Sequence, residues 1–261
     1  MRVALGLEYH GGAFHGWQRQ VDVPSVQSDV ERALSRVADH PVSVVAAGRT
    51  DRGVHATAQV ASFETSSKRP MKAWRLGTNS HTSREVKVLW AREVADDFHA
   101  RYSAVARRYT YLYLMRNDAS PLLNGLATPS SHLDADAMHR AAQALVGEQD
   151  FSSFRAAGCQ SASAQRRVNY LRVHRQGPFA VLEVEANAFV LHMVRNMAGA
   201  LALVGSGERH EGWVGELLRA RDRRVAGPTA PSQGLYLTGV TYPGMDFPQP
   251  HLPPPLAALE R

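Results

Sequence analysis

The chain's 261 residues can bury a sizeable core, and the length suits two domains of ordinary size. Thirty Lys and Arg against 24 Asp and Glu give a formal charge of +6 and a pI near 9.8, so the expected partner is a polyanion, with a solvated arginine-rich surface as the competing reading. The one cysteine, Cys159, excludes an internal disulfide and a cysteine-based zinc cluster, and fits a reduced cytoplasm.

Most of the positive charge is arginine, whose planar fork suits phosphate and stacked bases. Met1 to Gly6 runs directly into a strand pattern, with neither a secretory signal nor a transit-peptide composition, so the mature protein is expected to begin at Met1. Val3, Leu5, Leu7 and Tyr9 alternate with Ala4, Gly6 and Glu8, the period of a half-buried strand. Gly11 to Gln18 combines permissive backbone with Phe14 and Trp17 and reads as a packed turn rather than a platform for a base, with Gln18 and Arg19 as candidate RNA contacts. Ser25 caps a helix whose apolar face is Val26, Val30, Ala33, Leu34 and Val37.

Val42 to Ala47 is the strand that feeds the central feature of the chain, the turn Gly48, Arg49, Thr50, Asp51, Arg52, Gly53, Val54, His55, Ala56. The two glycines bracket a carboxylate at the end of an apolar β-branched run, so a buried strand is expected to end in a tight loop that holds Asp51 still. Flanked by Arg49 and Arg52, Asp51 is expected as a carboxylate at neutral pH. Such a group can serve as nucleophile or base, or cap the turn through its own backbone.

This stretch resembles the active-site loop of the tRNA pseudouridine synthases of the TruA type. There the loop reads Gly, Arg, Thr, Asp, a variable residue, Gly, Val, His, Ala; every position matches from Gly48 to Ala56, and Asp51 falls on the catalytic aspartate. Thr57 to Phe63 reads as a returning strand, Lys68 and Arg69 as a polar loop before a short segment around Trp74 and Leu76, and Asn79 to Arg84 as a polar stretch before the strand Val86 to Val94. Family members carry a Leu-Pro turn and an aspartate in that polar stretch; this chain does not. Asp97 to Ala104 and Arg107 to Tyr113 resemble the family closely. Tyr109, Tyr111 and Tyr113 share one face of a strand, opposite Thr110, Leu112 and Leu114. Tyr109 is the position of the family's active-site tyrosine, whereas Tyr111 and Tyr113 read as core. Arg107 and Arg108 read either as phosphate contacts or as solvated charges.

Asn117 to Ser131, rich in Pro, Ser, Asn and Gly, is the crossing to the second half, where Asp134 caps a helix carrying Met138, Ala141, Ala142, Leu145 and Val146. Phe151 to Arg155 and Cys159, Gln160, Ser161 resemble the family again, but Ala162 to Gln165 intervene before Arg166. Val168 to His174 and Phe179 to Ala186 read as a hairpin across Gln176, Gly177 and Pro178. Phe189 to Val204 is apolar almost all round, the pattern of a buried helix and too short a run for a membrane span. Arg195 inside it calls for a partner, which Asp51, Glu183, Glu185 or backbone carbonyls can supply. Val194, Arg195 and Asn196 match the family motif whose arginine pairs with the catalytic aspartate, which implies Asp51. Trp213 to Arg221 is a further helix, and Arg219, Arg221, Arg223 and Arg224 form either an RNA-facing ridge or a solvated face. Pro228 to Leu237 resembles the closing motif of the family, and the Pro-rich residues after Tyr242 are expected to form an extended, poorly packed tail.

The resemblance spans about Leu5 to Tyr242. It implies a mixed α+β fold of two similar domains, 1–105 with the catalytic Asp loop and 106–243 with the active-site Tyr and Arg, followed by the tail 244–261. Each domain would be a mainly antiparallel or mixed sheet with helices on one face, the pair forming a basic cleft. It implies an isomerase that turns uridine into pseudouridine at tRNA positions 38, 39 and 40, in the anticodon arm. It further implies a cytoplasmic homodimer with no cofactor, no metal and no membrane association, and the chain shows no recurrent metal-ligand spacing and no phosphate-cradling glycine loop. Asp51 would act as nucleophile or base, Arg195 would orient it, Tyr109 would stack on the uracil and help move a proton, and Arg49, Gln18, Arg107 and Arg108 would contact RNA. Two rivals remain at this point. His10, where the family has Asp, the altered 79–85 stretch and the altered Cys159 loop suit an RNA binder that has lost the chemistry, and a hydrolase would release free uracil.

Overall fold

The computed structural model describes residues 1–248 and 252–258. Main-chain contacts divide the chain into two units: Met1–Arg107 with Tyr236–Leu252, and Arg108–Leu235 with the stretch from Pro253. The first begins with β1 (Arg2–Tyr9), α1 (Val26–Ala38), β2 (Val45–Ala46), β3 (His55–Glu64), α2 (Met71–Asn79) and β4 (Val86–Val94), and β5 (Ala106–Met115) leads into the second. There follow β6 (Thr128–Ser130), α3 (Ala135–Ala142), β7 (Gly147–Asp150), β8 (Gln165–Gln176), β9 (Phe179–Ala186), α4 (Met193–Gly205) and α5 (Trp213–Ala220). β10 (Leu235–Thr241) returns the chain to the first unit, and α6 (Pro254–Ala257) closes the described residues. The expected mixed α+β class is what forms.

In the first unit the strands lie in the order β4, β1, β3, β10, with β2 on β3. β1 is antiparallel to both neighbours and β10 parallel to β3, setting Tyr236 beside His55. α1 starts where the sequence places its cap: Ser25 Oγ accepts the Ser28 N–H, and Ser28 Oγ accepts the Ser25 N–H. Its residues Val30, Ala33 and Leu34 are fully buried, worth about 1.5–3 kcal/mol for each of the larger two. α2 packs on α1 and β4, and its Trp74 meets Phe63, the register partner of Val3, edge-on at 5.2 Å. The helices therefore cover the Val3, Leu5, Leu7 face.

β1 departs from the half-buried pattern, because its other face is covered too. Ala4 joins Ala47, Val60, Phe98, Ala100 and Tyr242 in a buried cluster flanked by Trp90 and Phe247. The Trp90 indole lies directly over Gly6, where a Cβ would meet it at 2.0 Å. Much of that cover comes from the segment expected to be a loose tail. Phe247 stacks on Trp90 at 4.6 Å and meets Tyr242 edge-on at 5.5 Å, and Arg92 donates to the Asp246 carbonyl at 2.6 Å. Phe247 thus outweighs the prolines around it, and further on Pro255 and Leu256 are buried in the second unit. Pro250 lies outside the described residues.

The strand expected over Val42 to Ala47 pairs from Val45 on, at Val45 and Ala46 and through the Ala47 N–H to Val60 O at 2.8 Å. The N–H groups of Val42 and Val44 go instead to side chains of α1, Ser35 Oγ at 2.9 Å and Glu31 Oε1 at 3.0 Å. In the second unit the order is β5, β9, β8, β7, with β6 parallel to β5, and α3 packs on β8 and α4. Gly177, with φ of 56°, turns the hairpin between β8 and β9. Tyr111 and Tyr113 are core, as their alternation implies: the Tyr111 hydroxyl donates to Pro231 O at 2.8 Å and that of Tyr113 to Ala198 O at 2.7 Å. α4 begins at Met193 and not at Phe189, because His192 takes a left-handed φ of 60° just before it. Among the described residues no helix is long and apolar enough to cross a membrane.

Candidate active site

Asp51 sits, half-buried, one residue past the buried Thr50 in the connection between β2 and β3. The Val54 N–H donates to Asp51 O at 3.1 Å, and Gly53 between them has φ of 81°, a conformation open to glycine. The packed turn Gly11 to Gln18 supports the loop from one side. Trp17, 2 % exposed, donates its N–H to Thr50 O at 2.9 Å. Gly16 lies so close that a Cβ would stand 2.7 Å from Thr50 O and 3.1 Å from the Asp51 carbonyl carbon. A Cβ on Gly11 would meet Val54 O at 2.0 Å. Bare backbone at both glycines is what admits this approach.

From the other side the loop meets polar groups that the strand pattern did not single out. Gln59 on β3 is fully buried and bonds Gly48 through both ends of its amide, Nε2 donating to Gly48 O at 2.6 Å and Oε1 accepting the Gly48 N–H at 3.3 Å. Tyr9 Oη shares a 2.8 Å hydrogen bond with Thr50 Oγ1 and accepts from Gln59 Nε2 at 3.3 Å. Burial pushes the Tyr9 hydroxyl up to about 12, partly offset by the bonds to Thr50 and Gln59. His55, at the start of β3, accepts the Gly11 N–H at Nδ1 and stacks on Tyr236 at 4.7 Å. The one signal for Gln59 in the sequence was an amide inside a strand otherwise of apolar and small residues.

The other expected catalytic residues lie in the second unit. Tyr109 on β5 is 8 % exposed, and its ring meets Phe189 edge-on at 5.0 Å. Phe189 had appeared in the sequence only as the first of an apolar run. Arg195 lies on the first turn of α4, half-buried, with Nε donating to Ala230 O at 2.8 Å while the Ala230 N–H donates to Arg195 O at 3.0 Å. Its neighbour Asn196 donates to Phe154 O at 2.7 Å and accepts from Thr229 and Arg223 at 2.6 and 3.0 Å. A Cβ on Gly199, one turn on, would meet Pro228 O at 2.0 Å. The Val194, Arg195, Asn196 motif and the Pro228 to Pro231 segment therefore hold each other.

The candidate RNA contacts differ in availability. Arg49 is exposed. Arg108 is exposed and stands 3.3 Å from Glu185. Gln18 is half-buried and donates to Gln27 at 2.8 Å, while Arg19 pairs with the buried Glu31 at 3.0 Å. Arg107 is 9 % exposed and binds backbone: Nε and Nη2 donate to Ala47 O at 3.2 and 3.0 Å, and the fork also reaches Ala104 O at 3.0 Å and Arg101 O at 2.5 Å. In the later basic cluster Arg223 is tied to Gly227 O at 2.8 Å, Arg224 pairs with Asp222 at 2.7 Å, and Arg221 lies 3.4 Å from Asp150. Among the described residues no group of three or more His, Cys, Asp and Glu side chains is placed to hold a metal ion.

A family model described as tRNA pseudouridine synthase matches residues 7–103 and 141–243. The chain is 52% identical over 254 residues to the tRNA pseudouridine synthase A of Aeromonas salmonicida, covering 97% of this chain and 94% of that protein. The protein of the same name from Tolumonas auensis is also 52% identical, over 97% of this chain and 98% of its own length. That from Salmonella arizonae is 50% identical over 97% and 94%. A solved chain of a Cbf5-Nop10-Gar1 complex aligns with 90% of this chain and 48% of its own at 13% identity and a TM-score of 0.37, too loose a likeness to bear on function. With the model matching segments that include both Asp51 and Arg195, and relatives at half identity over nearly the whole length, the chain belongs to the tRNA pseudouridine synthase family.

Proposed function

We propose that this protein isomerises uridine to pseudouridine in tRNA, with Asp51 as the reacting carboxylate. The observation that carries the reading is the fixed presentation of Asp51: it follows a buried threonine whose backbone and side chain are both bonded, in a loop that matches the family's at every position from Gly48 to Ala56. The reaction breaks the bond from ribose C1′ to N1 of uracil, turns the base, and joins C1′ to C5; the C5 proton is lost and N1 gains one. Atoms and electrons balance without an oxidant or reductant. Charge that develops on the sugar as the glycosidic bond breaks is stabilised or trapped by a carboxylate, or relieved when a carboxylate removes a sugar proton.

Arg195 is proposed as the cation that aims Asp51, and the anchoring of its Nε on Ala230 supports that role by fixing its direction. Tyr109, held edge-on by Phe189, stacks on the uracil and assists removal of the C5 proton. The base must leave the stack to reach these groups, and the exposed Arg49 fills its place or holds the phosphate. Arg108 and Gln18 contact the backbone of the RNA; Arg107 serves from beneath, through the carbonyls it binds. The targets are the uridines at positions 38, 39 and 40 of the anticodon arm, and the enzyme works as a homodimer in the cytoplasm.

Tritium release from an unmodified tRNA transcript labelled at uridine C5, with nucleoside analysis of the product, tests the reading. Wild type releases tritium and forms pseudouridine, and Asp51→Asn binds the tRNA equally well and forms none. Turnover by Asp51→Asn, free uracil as product, or tight binding without release by wild type would each overturn it.

A further inference from the structure

Gly48 to Thr50, the three residues before Asp51, hang from one buried polar network, and we infer that Gln59, with Tyr9 as its relay, is a positioning residue for the reaction. The inference rests on the role of Asp51 proposed above. Gln59 is fully buried and Tyr9 is 3 % exposed. The Gln59 amide bonds the N–H and the carbonyl of Gly48, which fixes the peptide planes on both sides of that residue. The same Nε2 donates to Tyr9 Oη, which bonds Thr50 Oγ1. One amide thus restrains both ends of the segment, and Asp51 is the next residue. Arg107 adds a second hold one residue earlier, at Ala47 O.

The sheet does not need this amide. β3 is registered against β1 by seven backbone pairs, and an apolar side chain of the same volume would fill the site without desolvating four polar valences. A buried amide retained there and committed to the loop specifies one loop conformation out of several. Loss of that restraint shifts the carboxylate while leaving the RNA-binding surface in place. A displacement of about 1 Å at a reacting group costs up to about 100-fold in rate.

The test compares Gln59→Met, Tyr9→Phe and Gln59→Glu with wild type in steady-state and single-turnover assays on the same labelled tRNA, alongside melting temperature and tRNA affinity. Gln59→Met and Tyr9→Phe are expected to lower kcat about 10- to 100-fold with KM and tRNA affinity within about threefold. In Gln59→Glu a protonated carboxyl can donate to Gly48 O and a carboxylate cannot, so its kcat relative to Gln59→Met should recover as pH falls. Wild-type kcat in a folded Gln59→Met, or equal loss in kcat and tRNA affinity, overturns the inference. Should Gln59→Met not fold, Tyr9→Phe decides, since it removes one hydroxyl and keeps the ring: wild-type kcat there overturns the inference. Wild type without pseudouridine would sink the reading of function and the inference with it, whereas wild type active, Asp51→Asn inert and Gln59→Met unimpaired sinks the inference alone.

Discussion

Gly16→Ala should slow the reaction more than it unfolds the protein. Gly16 has φ of 99°, where an L-residue is strained by roughly 1–2 kcal/mol. The added Cβ would stand 2.7 Å from Thr50 O, 3.1 Å from the Asp51 carbonyl carbon and 3.2 Å from Arg52 N. These are backbone atoms of the loop itself, so no rotamer change relieves them, and the two segments must part by several tenths of an ångström. Parting stretches the bond from the Trp17 N–H to Thr50 O, now 2.9 Å, worth about 0.5–1.5 kcal/mol net. The sum, about 2–3 kcal/mol, lowers the melting temperature by roughly 5–10 °C, while the shift at Asp51 lowers kcat by about 10-fold or more. Gly207→Ala is the control. Its φ of 79° carries similar strain, but a Cβ there meets nothing within 4 Å, so it should lose stability without losing kcat. Calorimetry and the tritium assay on both variants check this, and wild-type kcat in a destabilised Gly16→Ala would refute the argument that this glycine sets the position of the loop.

Two further outcomes follow from the packing. Phe247→Ala removes the ring stacked on Trp90 and should cost about 1–3 kcal/mol by thermal or urea unfolding, with kcat of the folded enzyme unchanged; an unchanged midpoint would mean that the segment does not cover β1 in solution. The neutral Tyr9 hydroxyl, raised to about 12 by burial, contributes stability that is full below about pH 10 and lost as pH rises towards 12, since the unfolded chain gives up that proton first. Burial moves Tyr111, Tyr113, Tyr236 and Tyr242 the same way, so stability should fall as pH rises above about 10, and Tyr9→Phe should flatten that limb of the stability curve.

Elements that depend on neighbours in sequence are legible in the residues. Ser25 announces its helix because a cap needs only the next three residues, and the tyrosines of β5 declare their face by alternation. The loop of Asp51 is legible for another reason: bracketing glycines and flanking cations lie within a few positions of the carboxylate. What escapes the sequence is contact at long range. Nothing local in Ala4 or Gly6 says that Trp90 and Tyr242 will cover them, and an apparent tail of prolines hides the aromatic that completes that cover. Val42 to Ala47 has the composition of a strand, yet the side chains of Ser35 and Glu31 take the N–H groups of Val42 and Val44 before a neighbouring strand can. Arg107 reads as a surface cation until the carbonyls of Ala47, Ala104 and Arg101 are seen around it.

The departures from the family pattern bear on whether the chemistry survives, and each is closed by contacts of its own. His10, in place of an aspartate, donates its N–H to Glu85 O at 3.0 Å and lays its ring 4.7 Å from that of His55, extending the stack from Tyr236. Where the Leu-Pro turn is absent, Asn79 bonds Val88 at both N–H and carbonyl, 2.7 and 2.9 Å, and Ser83 donates its N–H to Asp29 at 2.9 Å. In the altered Cys159 loop Arg155 holds the carbonyls of Cys159 and Ser161 at 2.8 and 2.6 Å, and Arg166 holds Ser161 Oγ and Ser163 O. The bonds that fix Gly48 and Thr50 run through Gln59, Tyr9 and Trp17, none of them among the departures. The groups that present Asp51 are therefore intact, and the enzyme is expected to be active.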